Sequence, residues 1–355
     1  MSAAPTESKE LPSLWRPLRL PVFRNLLAAD VVSDVGTFMQ NVGAAWLMVS
    51  LNAGPFYVAL TQTASSLPFF IFALPAGSVG DIVDRRKLIL FTEVWMTAIA
   101  VLLALFTFGG IMTPLLLLLL TFALSAGDAF ETPTWRAVLP ELVPKEDLAS
   151  ASALNGIEFN FARAIGPALA GFLIAAAGVG AAFSVNALSF MGVILVIALW
   201  KRPATRRSTP AETVTGATAA GLRYVRYSPA LRRLMIRSGL AMFFSSGCLA
   251  LLPSVANEVS RSSLVYGILL GVFGVGAVLG ALVMQRMRAV LSLEALISGS
   301  LLLFGLCTIA VGMFRNLAVL NAVMLIGGAA RLVFLSLFNV ILLTRAPDWV
   351  RARVL

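Results

Sequence analysis

The sequence predicts an all-α polytopic membrane protein, and three observations carry that reading. Hydrophobic residues make up 59% of the 355-residue chain and charged residues 12%, against roughly 45–50% and about 25% in soluble globular domains. The apolar residues fall in long runs joined by short basic links, with a mean hydropathy of +0.91, as expected when about 20 apolar helical residues cross each bilayer core. The basic residues, finally, crowd onto alternate links.

The 20-residue measure marks ten candidate spans: 25–50, 57–80, 88–109, 114–134, 150–175, 178–199, 234–255, 264–285, 292–313 and 317–342. The first follows a stretch holding Lys9, Arg16, Arg19 and Arg24 and itself carries Asp30 and Asp34, which is not the layout of a cleavable signal peptide. Of the 27 lysines and arginines, 23 fall in the N-terminal segment, in the links 81–87, 135–149, 200–233, 286–291 and 343–355, or at Arg237. The intervening links hold only Arg261 and Arg315, and Arg163 and Arg331 lie within spans. Because basic residues in short loops stay on the cytoplasmic side, the chain is expected to sit in the cytoplasmic (plasma) membrane with its N-terminus inside. The net charge of +10 is then a topology signal, and no nucleic-acid partner is expected.

The longest link, 200–233, is basic with a Pro/Ser/Thr/Ala-rich centre and reads as a linker with a short helix at its end. It divides the chain into a cytoplasmic N-terminus (1–24), a six-helix lobe (25–199), the linker itself and a second, four-helix lobe with the start of an eleventh helix (234–355). Two landmarks recur 203 residues apart. Gly77 with Arg85 and Arg86 is matched by Gly280 with Arg286 and Arg288, and Pro144 by Pro347. An internal repeat of this kind predicts twelve helices, ten of them present, and the chain is expected to be a fragment; a natural ten-helix protein is the alternative.

Ionisable groups within spans are costly, about 2.5–3.5 kcal/mol each at a helix centre, and so are candidate functional residues. Asp30, Asp34, Thr37 and Asn41 share one stripe of the first helix, with Asp34 a proton carrier or one half of an ion pair. Arg163 lies mid-span with Glu158 on another face. It either attracts an anionic substrate or neutralises Asp34 or Glu158, and pairing is the expectation. Gly166, Pro167 and Gly171 form a small-residue face with a proline bend. Arg331, shifted by 203, lands on Asp128, and a cross-cavity pair, a substrate clamp and mere local solvation are the alternatives for it. Gly77, expected to permit tight packing at a helix end, precedes Asp81, Asp84, Arg85 and Arg86 in a short charged turn. The chain has no histidine, and its two cysteines lie in apolar runs; with no Walker, HExxH or nucleophile-elbow motif either, no enzyme, metal or cofactor is expected.

These residues resemble the major facilitator superfamily. Gly77-x-x-x-Asp81-x-x-Asp84-Arg85-Arg86 is similar to that family's loop 2–3 motif, with Ile82 where a basic residue is common and Asp84 where glycine is common. Ser33-Asp34-Val35-Gly36, Gly127-Asp128 with Pro133, Pro140-Glu141-Leu142-Val143-Pro144, and Asn155-Gly156 followed by Gly166-Pro167 resemble the enterobactin-exporter-like, transmembrane secretion effector branch. The resemblance implies a major facilitator fold of two pseudo-symmetric lobes, the second incomplete, with a substrate cavity between them. It implies a monomeric, proton-coupled exporter of a small organic molecule such as a drug, siderophore or metabolite, working by alternating access. The Gly166-Pro167 region resembles the antiporter helix 5 motif, with Ala170 in place of the first glycine of its usual pair. Asp81, Arg85 and Arg86 would form a conformational latch against helix 11. A lipid or lysolipid carrier of the same fold, or a truncated chain without transport, is the alternative.

Overall fold

The computed structural model describes residues 13–200 and 226–345. Within them ten long helices follow one another: α1 Pro21–Ser50, α2 Pro55–Ile82, α3 Arg85–Phe108, α4 Pro114–Leu142, α5 Leu148–Ala177, α6 Val179–Leu199, α7 Pro229–Ser260, α8 Ser263–Val290, α9 Leu293–Met313 and α10 Leu317–Arg345. Each predicted span lies on one of them. The helices often outrun the spans, as α4 does by continuing through Arg136 and Glu141, because an α-helix can proceed into polar surroundings after its apolar stretch ends. Eight of the ten, α3 to α10, are long and apolar enough to cross a membrane by length and composition alone. The other two, α1 and α2, are 30 and 28 residues long, and α1 is diluted by Asp30, Asp34, Gln40 and Asn41.

Local chemistry fixes the helix starts. Pro21, Pro55, Pro114 and Pro229 occupy the first turn, where a missing N–H costs nothing. Side chains of Asp84, Thr113, Ser262 and Ser292 accept from backbone N–H groups at the starts of α3, α4, α8 and α9, and Asn316 does the same for α10. Gly178, at φ 79°, turns α5 directly into α6, a conformation that side chains with a Cβ disfavour.

In the first lobe α1 packs on α5 and α6, α3 packs on α4 and α6, and α2 runs along α4. The second lobe repeats two of these pairings, with α8 along α10 and α9 against α10. The repeat spacing differs from the single offset of 203. Helices α7 and α8 begin at Pro229 and Ser263, each 208 residues after Pro21 and Pro55, whereas α10 begins at Leu317, 203 after Pro114. The change arises because α9 has 21 residues to the 24 of α3 and the connection after it is two residues shorter. Gly77 and Gly280 are therefore not equivalent: a Cβ on Gly280 would strike the Ala329 backbone at 2.7 Å, while Gly77 faces open space, against the tight packing expected of it. Pro347, the second landmark, lies outside the described residues, as do most of the linker and the start of an eleventh helix.

The lobes meet chiefly through α5 and α8, with smaller contacts between α2 and α7 and between α1 and α7. Gly171 and Gly267 face each other so closely that a Cβ on Gly171 would lie 2.9 Å from the Gly267 Cα, and one on Gly267 would lie 2.7 Å from the Pro167 carbonyl oxygen. The Ser263 hydroxyl donates to the Gly171 carbonyl at 3.3 Å. The small-residue face read from Gly166, Pro167 and Gly171 is thus a two-sided packing surface, with Gly166 seated on Phe38 of α1.

Candidate functional site

Between the lobes lies a cavity of about 320 Å³. Its first-lobe wall comes from Phe38, Asn41, Val42 and Ala45 of α1, Thr61, Gln62 and Ser65 of α2, and Phe159, Arg163 and Pro167 of α5; the second lobe adds Leu249, Ala250, Tyr266, Leu270 and Arg331. The cavity lies beside the α5–α8 contact, where Trp46 and Tyr266 stack with ring centroids 6.3 Å apart. Arg163 and Arg331 each sit at the middle of their helix, α5 and α10, so these two mid-helix cations open onto one space.

The expected pairing of Arg163 is not what the structure shows. Among the described residues Arg163 makes no hydrogen bond or ion pair, and the carboxyl of Asp34 lies instead within hydrogen-bonding reach of Glu158. The five-residue step from 158 to 163 explains this, since it turns the glutamate toward α1 and leaves the arginine facing the cavity. Nor do Arg331 and Asp128 pair across the cavity. Asp128 accepts from Thr132 of its own helix at 3.2 Å, while Arg331 is near Arg163 and Cys248 and its buried Nε has no partner. Equivalent positions in the two lobes here carry opposite charges with different neighbours.

Most of the remaining acidic chemistry is inside the first lobe. Glu131 of α4 accepts from the Thr92 hydroxyl at 2.8 Å and lies against Glu93 of α3. Asp30 and Trp135 line a small crevice together with Asn155. The stripe read on α1 therefore divides: Asp30 faces α4, Asp34 faces α5, and Asn41 reaches the cavity. Asp34 thus lies beside Glu158 and Glu93 beside Glu131, with one carboxyl oxygen of Glu158 and one of Glu93 buried and without a hydrogen-bond partner among the described residues. Glu93 and Glu131 were absent from the sequence-predicted set, as were Thr61, Gln62 and Ser65; a census of every acid inside a span would have found the first two. Among the described residues no three metal-ligating side chains converge on one point.

The charged turn after α2 ties the first lobe together. Asp84 caps α3 by accepting from the Lys87 N–H at 3.2 Å. Arg85 donates to the Ala137 carbonyl at 2.9 Å and to Glu141 at 2.7 Å, and Arg86 donates to the carbonyls of Ile197, at 2.9 Å, and Ala198 at the end of α6, where a helix presents unpaired acceptors and partial negative charge. The side chain of Asp81 lies outside the described residues.

Ten described helices, two lobes related by a repeat and a polar cavity where they meet define a multi-pass membrane transporter. Residues 12–355 match the transmembrane secretion effector family, and the chain belongs to it. Relatives include the staphyloferrin A transporter of Staphylococcus aureus, 23% identical over 81% of this chain and 72% of its own. The multidrug efflux pump Tap of Mycolicibacterium fortuitum is 24% identical over 93% and 82%, and an enterobactin exporter of Shigella boydii 25% identical over 74% and 62%. Among solved structures, the fold is similar to that of a bacterial homologue of the lysosomal transporter spinster in an inward-facing conformation (TM-score 0.70, 15% identity, covering 96% and 78%). It is also similar to that of a nucleoside transporter (TM-score 0.73, 11% identity, 94% and 85%). These relatives are transporters, and the major facilitator fold expected from the sequence is the one observed.

Proposed function

We propose that the protein exports a small organic molecule from the cell in exchange for protons, by alternating access to the inter-lobe cavity. The observation that carries this reading is the Asp34–Glu158 carboxyl pair placed one helical turn from the cavity wall: Phe38 follows Asp34 by four residues on α1, and Phe159 follows Glu158 directly on α5. A proton gained or lost there changes how α1 and α5 hold each other, and both helices line the cavity. Export is favoured by the names of two relatives, a multidrug efflux pump and an enterobactin exporter. Because the lobes touch at the Gly171–Gly267 end, which is the outer end if the N-terminus is cytoplasmic, the arrangement corresponds to an inward-open carrier ready to load.

In this reading the lobes are 25–199 and 234–355, joined by the linker 200–233, and a monomer in the cytoplasmic membrane suffices because one chain supplies both cavity walls. Asp30, Asp128, Glu93 and Glu131 form the further acidic interior of the first lobe, and Arg85 and Arg86 keep α3, α4 and α6 moving as one body. The test is substrate-dependent collapse of an imposed proton gradient in everted vesicles carrying the full chain, followed by a pH-sensitive dye across a panel of drugs and iron chelators. At least one compound should release protons, and Asp34→Asn should abolish that release. Unchanged coupling in Asp34→Asn would remove the proton role from this pair.

A further inference from the structure

Among the described residues the two mid-helix arginines have no counter-charge in the cavity they share. Its described lining contains Arg163 and Arg331 and the neutral donors and acceptors Asn41, Gln62 and Ser65, and no carboxylate. The acids that the sequence offered as partners lie elsewhere, Glu158 beside Asp34 and Asp128 accepting from Thr132. Neither guanidinium makes a hydrogen bond or ion pair among the described residues, the Arg331 Nε is buried with no partner, and both groups line the same cavity. Two like charges at mid-membrane depth lower the stability of the empty protein, and an arginine presents a planar fork of donors that matches an oxyanion. Phe38, Phe159 and Tyr266 on the same walls offer apolar faces for the rest of a ligand.

We propose that the transported molecule is an organic anion, held with its carboxylate or equivalent oxyanion between Arg163 and Arg331 and its apolar body against Phe38, Phe159 and Tyr266. The proposal rests on the transporter reading above and names its substrate class. Because α5 belongs to one lobe and α10 to the other, an anion bridging the two arginines draws the lobes together across the cavity and links loading to the rocking motion. An amine or a neutral molecule of the same size lacks the bridge and meets two unscreened positive charges.

The experiment uses the full chain in nanodiscs and three probes of matched size: tritiated 2-naphthoate, 2-naphthamide and 2-naphthylmethylamine. Expected is saturable binding of the carboxylate at least tenfold tighter than either analogue, lost by tenfold or more in Arg163→Gln and in Arg331→Gln and only partly restored in Arg331→Lys, which keeps the charge without the planar fork. The glutamine variants should melt at the same temperature as the parent or higher, since each removes an uncompensated charge; a lower melting temperature in both would show structural arginines and overturn the proposal. So would absence of carboxylate binding, equal binding of amide or amine, or naphthoate affinity unchanged in both glutamine variants. The two readings separate cleanly. Arginine-dependent naphthoate binding without flux in proteoliposomes upholds the anion site and defeats the transport reading, whereas flux of the amine or amide that ignores both arginines does the reverse.

Discussion

The two lobes share a helix plan and differ in what they bury. The first holds Asp30, Asp34, Glu93, Asp128, Glu131 and Glu158 within its helices, two pairs of them carboxyl against carboxyl. The acids described in the second lobe's helices, Glu258 and Glu294, stand near helix ends, ion-paired with Arg315 and Arg237, and its deep charge is Arg331. Duplication of a backbone therefore has not duplicated chemistry. One lobe carries the buried acids proposed above to take up protons, and the cavity face between the lobes carries Arg163 and Arg331. Helices α1 and α5 carry Asp34 and Glu158 and also line the cavity, so a change at the acids can be felt at the cavity through them.

The sharpest way to break the comparison is to remove one chemistry and watch the other. Glu158→Gln should cut proton movement per substrate by at least about tenfold, roughly 1.4 kcal/mol of coupling, and leave binding of a carboxylate probe within about twofold. Arg331→Gln should give the opposite split. Vesicle dye measurements and nanodisc binding on the same two variants read both quantities, and a parallel loss of both in either variant would mean that proton and ligand share one site.

The next effect tests the seam. Gly171→Leu and Gly267→Leu place side-chain carbon against a backbone that cannot yield, so each should destabilise the closed seam by roughly 1–3 kcal/mol, in line with overpacked cores. The result should be a lower melting temperature together with greater reactivity of a cysteine placed at position 263. Gly171→Ala should show a weaker form of the same shift. A leucine variant as stable and as closed as the parent would show that α5 and α8 do not touch there.

Much of this architecture was legible from the sequence because hydrophobic run length is a one-dimensional property that the bilayer imposes on each helix separately. Ten runs gave ten helices. The site was legible only in part. That Asp34, Glu158, Arg163 and Arg331 were buried ionisable groups followed from their positions in the runs, but which of them face each other depends on the rotation of two helices about their axes. Nothing in the sequence of α1 states that rotation relative to α5. The pairing of Arg163 was accordingly misread, and of the alternatives for Arg331 the pair with Asp128 is not formed, although the two positions are equivalent in the repeat. The repeat shows the same limit: two landmarks with one offset concealed a change from 208 to 203 that only helix boundaries reveal.

Smaller effects separate the ion pairs of the two lobes. Arg85 and Glu141 are 27% and 13% exposed as side chains and the arginine also holds the Ala137 carbonyl, so Arg85→Ala should cost about 1.5–3 kcal/mol, the range for hydrogen bonds to charged groups. Arg237 and Glu294 are 36% and 69% exposed, and Arg237→Ala should cost less than about 1 kcal/mol, as exposed pairs do. Thermal unfolding in one detergent gives the ordering. Equal costs would mean that Arg85 is solvated and does not clasp α4.

Gly77→Ala should have the smallest effect and in the opposite direction. The residue lies in the last turns of α2 and a Cβ added there meets no heavy atom within 4 Å, so the gain in helix propensity, at most about 1 kcal/mol, has nothing to oppose it. Gly280→Ala in the second lobe faces the Ala329 backbone at 2.7 Å and should be destabilising by roughly 1–3 kcal/mol, as overpacked positions are. The sign of the difference between these two variants, read as a shift in melting temperature, decides whether the glycine of the charged-turn motif is there for packing in this state. If Gly77→Ala keeps full stability yet loses transport, the glycine serves a second conformation in which another helix comes close to it, and the inward-open arrangement is the half of the cycle that leaves its space empty.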